Sequence, residues 1–206
     1  MTKKFYMTPG SCSTGIHILL EECGLVFEAH IVNLLAGDQY KKEYLAINPK
    51  GSIPALVLDD GSSLTEFSAI AWWLARTYPK RKLLPESIAG EVRVLGIMNY
   101  AVHTLHTQGF ARIFTTERFS PSSSDHESVK AQGRQIIDQG FAIINRELEG
   151  RDYVADQFSI ADAALFYVEF WADRTGIPLP ANCAAHYRLM LTRPAVRQVL
   201  AEEGYA

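Results

Sequence analysis

Cys12 lies within Pro9-Gly10-Ser11-Cys12-Ser13, a stretch of small residues between a predicted first strand and a predicted first helix. A thiol at the amino end of a helix feels the positive end of the helix dipole, which favours the thiolate. The hydroxyls of Ser11 and Ser13 could donate hydrogen bonds to that sulfur. A lone cysteine is more often a small turn residue, so the residues alone leave a chemical and a structural role open.

A second candidate stretch runs from Asn48 to Tyr78. Asp60-Gly61 predicts a hairpin turn between two short strands, and helical spacing of apolar residues begins at Glu66. Ile53 precedes Pro54 and is therefore extended, so its backbone can pair with an extended ligand. Free N–H groups at the helix start can bind an anion. The segment suits a small zwitterionic peptide, although a plain hairpin followed by a helix is the simpler interpretation.

A stripe of polar and aromatic residues follows one face of a long predicted helix over Glu91 to Thr116. Its members are Asn99, His103, His106, Phe110 and Phe114. A buried face rarely carries two histidines and an asparagine, so a cleft-facing stripe is one interpretation. An ordinary packing face is the other, and the residues slightly favour it. Two histidines lack the further ligands that zinc requires, so no metal site is predicted.

Composition restricts the class of protein. The chain has 206 residues, of which 48% are hydrophobic and 21% charged, as in ordinary globular proteins. A net charge of -3 gives no basic surface for nucleic acid. No apolar run reaches the roughly twenty residues needed to span a bilayer, so no membrane partner is expected. Cys12, Cys23 and Cys183 contain no CxxC pair, which favours reduced thiols and a cytoplasmic protein.

The predicted elements divide the chain in two. Residues 1–80 have the order β-α-β-α-β-β-α, an α/β layer structure, and a charged, proline-bracketed linker covers residues 81–90. Residues 91–206 contain helical patterns and no convincing strand. Ser124 with Glu127 predicts one helix-capping box, and Ser159 with Asp162 predicts another. The second box begins a very apolar helix, which we expect at the buried centre of a bundle.

These residues together resemble the cytosolic glutathione S-transferases over essentially the whole chain. The matching segments, in order, are Asn48–Leu56, Asp59–Gly61, Leu64–Glu66 and Ser159–Asp162. The segment around Cys12, and Asn99 with His106, look most like the bacterial beta class. The resemblance implies a thioredoxin-like first domain, an all-α helical bundle as the second, a cis Ile53–Pro54 bond and a homodimer.

The resemblance also implies a glutathione site. The backbone of Ile53, before Pro54, would pair with the cysteinyl unit of glutathione. Glu66 and the backbone at Phe67 would hold the γ-glutamyl end; the family usually has serine where this chain has Phe67. Cys12 would face the glutathione thiol, either as a protonated donor or as a thiolate. Ser11 is the rival donor.

On the helical side, the resemblance implies that His106 and Asn99 lie near the glutathione. It implies that His103, Phe110, Phe114 and Trp171 line the site for the electrophile. The expected activity is conjugation of glutathione, the co-substrate, to small electrophilic and mostly apolar compounds, as in detoxification. The alternatives are a glutathione-dependent thiol reductase, isomerase or ether-cleaving enzyme, or a non-catalytic binding or interaction protein on the same fold.

Overall fold

A computed structural model of the chain describes residues 2–205. The chain forms two compact units, one from residues 1–84 with 190–206 and the other from residues 85–189. The sequence predicts the change near residues 81–90 but places the last segment in the helical domain, whereas in the structure it belongs to the first unit. Within residues 2–205, no helix is both long enough and apolar enough to traverse a bilayer.

The first unit contains a four-stranded mixed sheet in the order β2-β1-β3-β4. β1 (Lys3–Met7) pairs in parallel with β2 (Phe27–Ile31) and antiparallel with β3 (Ala55–Val57), with Phe5 opposite both Ala29 and Leu56. β3 and β4 (Ser63–Thr65) form the predicted hairpin. Gly61, with φ 86°, supplies the turn conformation that residues with a Cβ avoid. This arrangement confirms the thioredoxin-like fold class.

Three larger helices belong to this unit, and two of them pack on the third. α1 (Ser13–Cys23) contacts α3 (Phe67–Thr77) and also α9 (Pro194–Glu202). A short helix, α2 (Lys42–Leu45), follows β2. The fully buried side chains of this unit include Phe5, Ile16, Leu19, Leu20, Leu56, Ile70 and Leu74. The apolar residues of α3 therefore recur on the face that forms the core, as their helical spacing predicted. The apolar residues of α1, including Cys23, are buried as well.

The second unit is built from helices. They are α4 (Ile88–Asn99), a π-helical segment (Tyr100–Phe110), α5 (Ala111–Phe114), α6 (His126–Glu147), α7 (Ile160–Arg174) and the first part of α8 (Ala181–Thr192). None of the described residues of this unit belongs to a strand. The all-helical prediction is confirmed.

The long helix predicted over Glu91 to Thr116 runs without a break from Ile88 to Phe114, but it is not α-helical throughout. Over Tyr100–Phe110 the backbone is a π-helix, in which hydrogen bonds run from i to i+5. The hydroxyl of Thr107 follows the same spacing and donates to the carbonyl of Val102 at 2.9 Å. This wider turn breaks the 3.6-residue period. The predicted stripe therefore divides into buried members and exposed members.

The π-helical segment lies very close to α6. A Cβ placed on Gly109 would lie 2.6 Å from Ile137 Cγ1, and one on Gly133 would lie 2.8 Å from the Gly109 carbonyl oxygen. Real Cβ atoms do not approach other atoms so closely. Glycine at these positions therefore lets the two helices meet nearly backbone to backbone.

α7 is the buried centre of its unit, as predicted from its apolar sequence. Its residues from Ile160 to Ala172 are buried. The Asp162 carboxylate accepts hydrogen bonds from the Ser159 N–H at 2.7 Å and the Val154 N–H at 2.8 Å, so the predicted capping box is present. The other predicted box is absent, because α6 begins after Asp125 and the Ser124 hydroxyl lies against other side chains of its loop.

Asp162 also belongs to a buried cluster of charges. His186 lies with Nε2 3.1 Å from Asp162 Oδ1 and Nδ1 2.8 Å from Glu169 Oε2. Burial by itself disfavours the imidazolium, but the two carboxylates outweigh it and raise the pKa of His186 to about 10. Burial raises the pKa of Glu169. His186 is therefore a buried cation at neutral pH that depends on its acidic partners.

We expect Asp162→Ala to lower the free energy of unfolding by about 3–5 kcal/mol, because it leaves two buried N–H groups without an acceptor and removes one of the two acidic partners of buried His186. Urea denaturation followed by circular dichroism measures this loss. Ser124→Ala is the matched control and should change the free energy by less than about 0.5 kcal/mol. Equal effects of the two substitutions would contradict the assignment of Asp162.

Candidate active site

The loop before α1 is held by its own hydroxyls. The Ser11 and Ser13 hydroxyls lie 2.7 Å and 3.0 Å from the Thr8 carbonyl oxygen, to which they donate, and 2.6 Å from each other. Ser13 also accepts from the Thr8 N–H at 3.0 Å. The suggestion that these two hydroxyls donate to the Cys12 sulfur is therefore wrong for this structure, because the Thr8 backbone is their partner.

Cys12 is the residue that immediately precedes α1. Only 8% of the residue is exposed, and its thiol donates to the Ile53 carbonyl oxygen at 3.7 Å. Burial raises the pKa of the Cys12 thiol to about 12, although N–H groups at the helix start act in the opposite direction. The expectation that the helix dipole favours a thiolate is thus corrected: desolvation is the larger effect, and Cys12 is a protonated donor.

The Cys12 loop is also attached to the end of the chain. The buried Glu203 carboxylate accepts from the Gly10 N–H at 2.7 Å and from the Thr14 hydroxyl at 2.7 Å. Gly10 has φ 70°, and the ring of Tyr205 occupies the space that a side chain would need. The sequence did not indicate this anchor, because Glu203 lies far along the chain from the residues that it holds.

Hydrogen bonds shape the approach to Pro54. The Tyr44 hydroxyl and the Asn48 side-chain amide both donate to the Ser52 carbonyl oxygen at 2.6 Å. The Ile53–Pro54 bond is cis, as the resemblance implied. Pro54 is buried and Ile53 is half-buried. The carbonyl oxygen of Ile53 accepts the hydrogen bond of the Cys12 thiol, so the Ile53 backbone lies beside that thiol.

Glu66 precedes α3 in an unusual backbone conformation, with φ 72° and ψ 128°. This conformation costs a residue with a Cβ about 1–3 kcal/mol, and such strained residues are found mostly at functional sites. The Glu66 carboxylate is exposed and pairs with Lys50 Nζ at 2.8 Å. Lys50 also donates to the Thr65 hydroxyl at 2.9 Å. The sequence interpretation did not include Lys50, although it belongs to the segment that carried the resemblance.

Phe67, the first residue of α3, is only 4% exposed. Its side chain therefore belongs to the core, and only the backbone of this position remains for a ligand. A backbone role of Phe67 towards glutathione stays a prediction. Cys12, Ile53, Pro54, Glu66 and Phe67 all belong to the first unit.

The second unit contains an aromatic cluster around Trp171. Its ring lies 4.9 Å from the His106 ring, 5.4 Å from Phe110 and 5.3 Å from Phe114, all measured between centroids. Phe110 and Trp171 are buried, whereas Phe114 is 48% exposed. Tyr167, which the sequence did not single out, shares a hydrogen bond with His106 Nδ1 at 3.3 Å. The cluster thus has a packed base and an accessible edge.

His106 and His103 have different surroundings despite their similar sequence positions. Burial, with a smaller contribution from His103, lowers the pKa of His106 to about 4, so its imidazole is neutral at pH 7. His103 is exposed, and its Nδ1 lies 3.2 Å from the Asn99 carbonyl oxygen. Asn99 is exposed as well. The structure therefore brings His106, Phe110, Phe114 and Trp171 together and leaves Asn99 and His103 at the surface of the unit.

These features define a two-unit protein with a cysteine at the first helix of a thioredoxin-like sheet and an aromatic cluster in a helical unit. Sequence profiles of known families identify the same class. Residues 10–77 match the glutathione S-transferase N-terminal domain, and residues 127–202 match the glutathione S-transferase C-terminal domain.

Individual relatives agree with this class. The chain is 36% identical to glutathione S-transferase GstA of Escherichia coli O157:H7, and the match covers 98% of both chains. Among solved structures, a bacterial beta class glutathione S-transferase from Sphingomonas chungbukensis has 30% identity and a TM-score of 0.84 over 98% of this chain and all of the other. A sphingomonad glutathione S-transferase complexed with glutathione has 33% identity and a TM-score of 0.84, with coverage of 98% and 100%. The chain belongs to the glutathione S-transferase family and is a glutathione transferase.

We expect the Cys12 thiol of the ligand-free protein to react slowly with iodoacetamide at pH 7. Because its pKa is about 12, the thiolate fraction should rise about tenfold per pH unit from pH 7 to pH 10, and the alkylation rate with it. Mass spectrometry of the tryptic peptide that contains Cys12 gives the rate, and Cys12→Ser gives the background from Cys23, which lies in the same peptide. A rate that reaches a plateau below pH 8 would show a thiolate instead.

Proposed function

We propose that this transferase conjugates glutathione to small electrophilic, mostly apolar compounds. The observation that carries the proposal is the protonated thiol of Cys12, which donates to the Ile53 carbonyl oxygen at 3.7 Å. A thiol that remains protonated can donate a hydrogen bond to a second sulfur that is ionised. Two thiolates in the same place would repel each other, so the high pKa of Cys12 suits a glutathione thiolate beside it.

The proposed mechanism follows from this difference between the two thiols. Glutathione binds with its cysteinyl backbone along Ile53 and Pro54, and the Cys12 S–H exchanges its carbonyl acceptor for the glutathione sulfur. This charge-assisted hydrogen bond stabilises the thiolate and lowers the pKa of the bound glutathione. The glutathione thiol releases its proton to solvent water, and the resulting thiolate attacks the electrophilic carbon. A C–S bond forms, and the leaving group departs with the electron pair of its bond. Cys12 keeps its proton throughout.

The γ-glutamyl end of glutathione is assigned to the start of α3. The ligand carries an ammonium and a carboxylate there. Glu66 is an exposed carboxylate that can accept from the ammonium, and the amino end of α3 is suited to the carboxylate of the ligand. The strained backbone of Glu66 supports a functional role, since an ordinary helix start does not require it.

The electrophile is assigned to the aromatic cluster, with Phe114 as its exposed edge and Phe110 and Trp171 as its base. Flat apolar faces select for size and shape, which suits a range of apolar compounds. His106 is neutral at pH 7 and can offer a hydrogen bond without a charge. His103 and Asn99 remain predicted members of the site. A homodimer, a cytoplasmic location and a role in detoxification are proposed on the family resemblance.

We expect Cys12→Ala to lower kcat/KM for conjugation of a generic aryl halide by about 10-fold or more, the equivalent of one hydrogen bond to a charged group. Ser11→Ala should have a smaller effect, because the Ser11 hydroxyl is directed to the Thr8 carbonyl. The assay follows product absorbance at pH 6.5–8. Full activity of Cys12→Ala together with loss in Ser11→Ala would transfer the role to the serine.

Oxidised glutathione separates this function from the reductase alternative. A Cys12 thiolate would attack the disulfide, form a mixed disulfide and release one glutathione, which adds one glutathionyl group to the parent protein and none to Cys12→Ala. The proposal predicts that the mass of the parent stays unchanged over the time of the assay. Glutathione binding with no turnover of any electrophile would favour the non-catalytic alternative.

For the γ-glutamyl end, we expect Glu66→Ala to weaken glutathione binding by about 1.5–3 kcal/mol, or about 10- to 150-fold in Kd. Isothermal titration calorimetry measures the change. Glu43→Ala removes an exposed carboxylate of the same unit and serves as the control. Unchanged affinity in Glu66→Ala would make Glu66 a solvated helix-start residue.

A further inference from the structure

A second group of ionisable side chains lies where α1 meets the end of α9, and it has no part in the proposed reaction. His17 and Glu21 lie one turn apart on α1, and Glu202 is the last residue of α9. One ligand atom from each of these residues lies within 4.8 Å of the others. His17 is buried, Glu21 is half-buried and Glu202 is exposed, so the cluster opens to solvent on its acidic side.

The imidazole of His17 is oriented by its surroundings. Nδ1 lies 2.9 Å from Glu203 Oε1, and the ring contacts Phe5 and Phe27 at centroid distances of 5.8 Å and 5.5 Å. A carboxylate on Nδ1 fixes the tautomer in which the proton is on Nδ1 and the lone pair is on Nε2. Such a carboxylate behind a histidine is the usual outer partner of a metal-binding imidazole.

The other nitrogen, Nε2, is the informative atom. His17 is 3% exposed, and Nε2 is buried and makes no hydrogen bond with any residue that the structure describes. It points towards the carboxylates and lies 3.1 Å from Glu202 Oε2, outside hydrogen-bonding geometry. A buried nitrogen lone pair without a donor is costly unless something binds it.

The two carboxylates are also close to each other. Their ligand atoms lie within 4.8 Å of each other, so two like charges meet at this point. Gln198 donates to Glu202 Oε1 at 3.0 Å, which leaves Oε2 directed towards His17. A cation between these groups would relieve the repulsion and accept the His17 lone pair at the same time.

We propose that His17 Nε2, Glu21 and Glu202 bind a divalent transition-metal ion of the zinc type. Metal–ligand bonds of about 2.0–2.2 Å place neighbouring ligand atoms about 3.0–3.5 Å apart, which matches the 3.1 Å between His17 Nε2 and Glu202 Oε2. Three protein ligands leave at least one position for water on the exposed side. An imidazole with carboxylates suits Zn²⁺, Co²⁺ or Ni²⁺ better than Mg²⁺, which prefers oxygen ligands.

The sequence could not indicate this site, because His17 and Glu21 lie near the start of the sequence and Glu202 lies near its end. It is separate from the glutathione site, since none of its ligands is among the residues assigned to glutathione or the electrophile. Failure of the conjugation proposal would therefore leave the metal proposal intact, and the reverse also holds.

The test uses the full chain without a histidine tag, stripped with a chelator and dialysed. Titration calorimetry with Zn²⁺ should show one ion per chain, and the melting temperature should rise as Zn²⁺ is added. Glu202→Gln and Glu21→Gln should each weaken binding at least about 10-fold, as loss of even an outer partner does. Glu43→Gln, an exposed carboxylate elsewhere in the unit, should bind Zn²⁺ like the parent.

Glu202 is exposed, so Glu202→Gln should fold normally. The test therefore does not depend on a substitution of the buried His17, which could disturb the fold. Co²⁺ distinguishes this site from the cysteines, because thiolate ligation gives intense near-ultraviolet charge-transfer bands and nitrogen and oxygen ligands do not. Two results would overturn the proposal. One is Zn²⁺ affinity that does not change in either glutamine variant, and the other is no binding at all, which would give His17 and its neighbouring carboxylates a purely structural role.

Discussion

The buried carboxylate of Glu203 joins the end of the chain to the loop that carries Cys12. Its oxygens bind the Gly10 N–H, the Thr14 hydroxyl and His17 Nδ1. Hydrogen bonds to a buried charge are stronger than neutral ones, and removal of such an acceptor leaves several donors unpaired. The geometry of the Cys12 loop therefore depends on a residue that lies 193 positions away from Gly10. Residues near the end of the sequence thus determine the structure of a site near its beginning.

Desolvation controls the protonation of the side chains on which the proposed chemistry rests. It raises the pKa of Cys12 and lowers the pKa of His106, so both groups are neutral at pH 7. Because the Cys12 thiol is neutral, it does not compete with an anionic ligand for the few N–H groups at the start of α1. In contrast, His186 is buried and charged because two carboxylates surround it. Burial alone does not decide the charge of a histidine; the partners do.

Much of the fold could be predicted because its signals are local. The Asp60-Gly61 turn, the periodicity of α1 and α3, and the Ser159–Asp162 box each lie within a few residues of the element that they specify. The predictions that failed depend on information from elsewhere in the chain. The π-helical segment contradicts a 3.6-residue period. Ser124 is an acceptable cap by residue type, yet α6 begins beyond it.

The candidate site also contains residues that local sequence could indicate and residues that it could not. Glu66 and Ile53 could be found because one continuous segment contains them, and Lys50 could have been found there too. The position of Cys12 at the start of α1 was correct, but its pKa could not be inferred, because the dipole is a local property and burial is a tertiary one. The sequence around His17 shows only one of its partners, Glu21, since Glu202 and Glu203 lie near the other end of the sequence.

The ion pair between Lys50 and Glu66 has a consequence for how the first unit distinguishes among ligands. Both side chains are more than half exposed, so the pair is weak and easily exchanged. An ammonium group that arrives at Glu66 replaces Lys50, so the number of ion pairs stays the same. The other contacts of the ligand hold that ammonium in place, so its hydrogen bond to Glu66 is stronger than the exposed pair that it replaces. Salt then weakens the ion pair of Glu66 to a similar degree in the ligand-free and the ligand-bound protein. Selectivity at this position is consequently a matter of shape, because any compact cation can satisfy Glu66, whereas few compounds also place a carboxylate on the first N–H groups of α3.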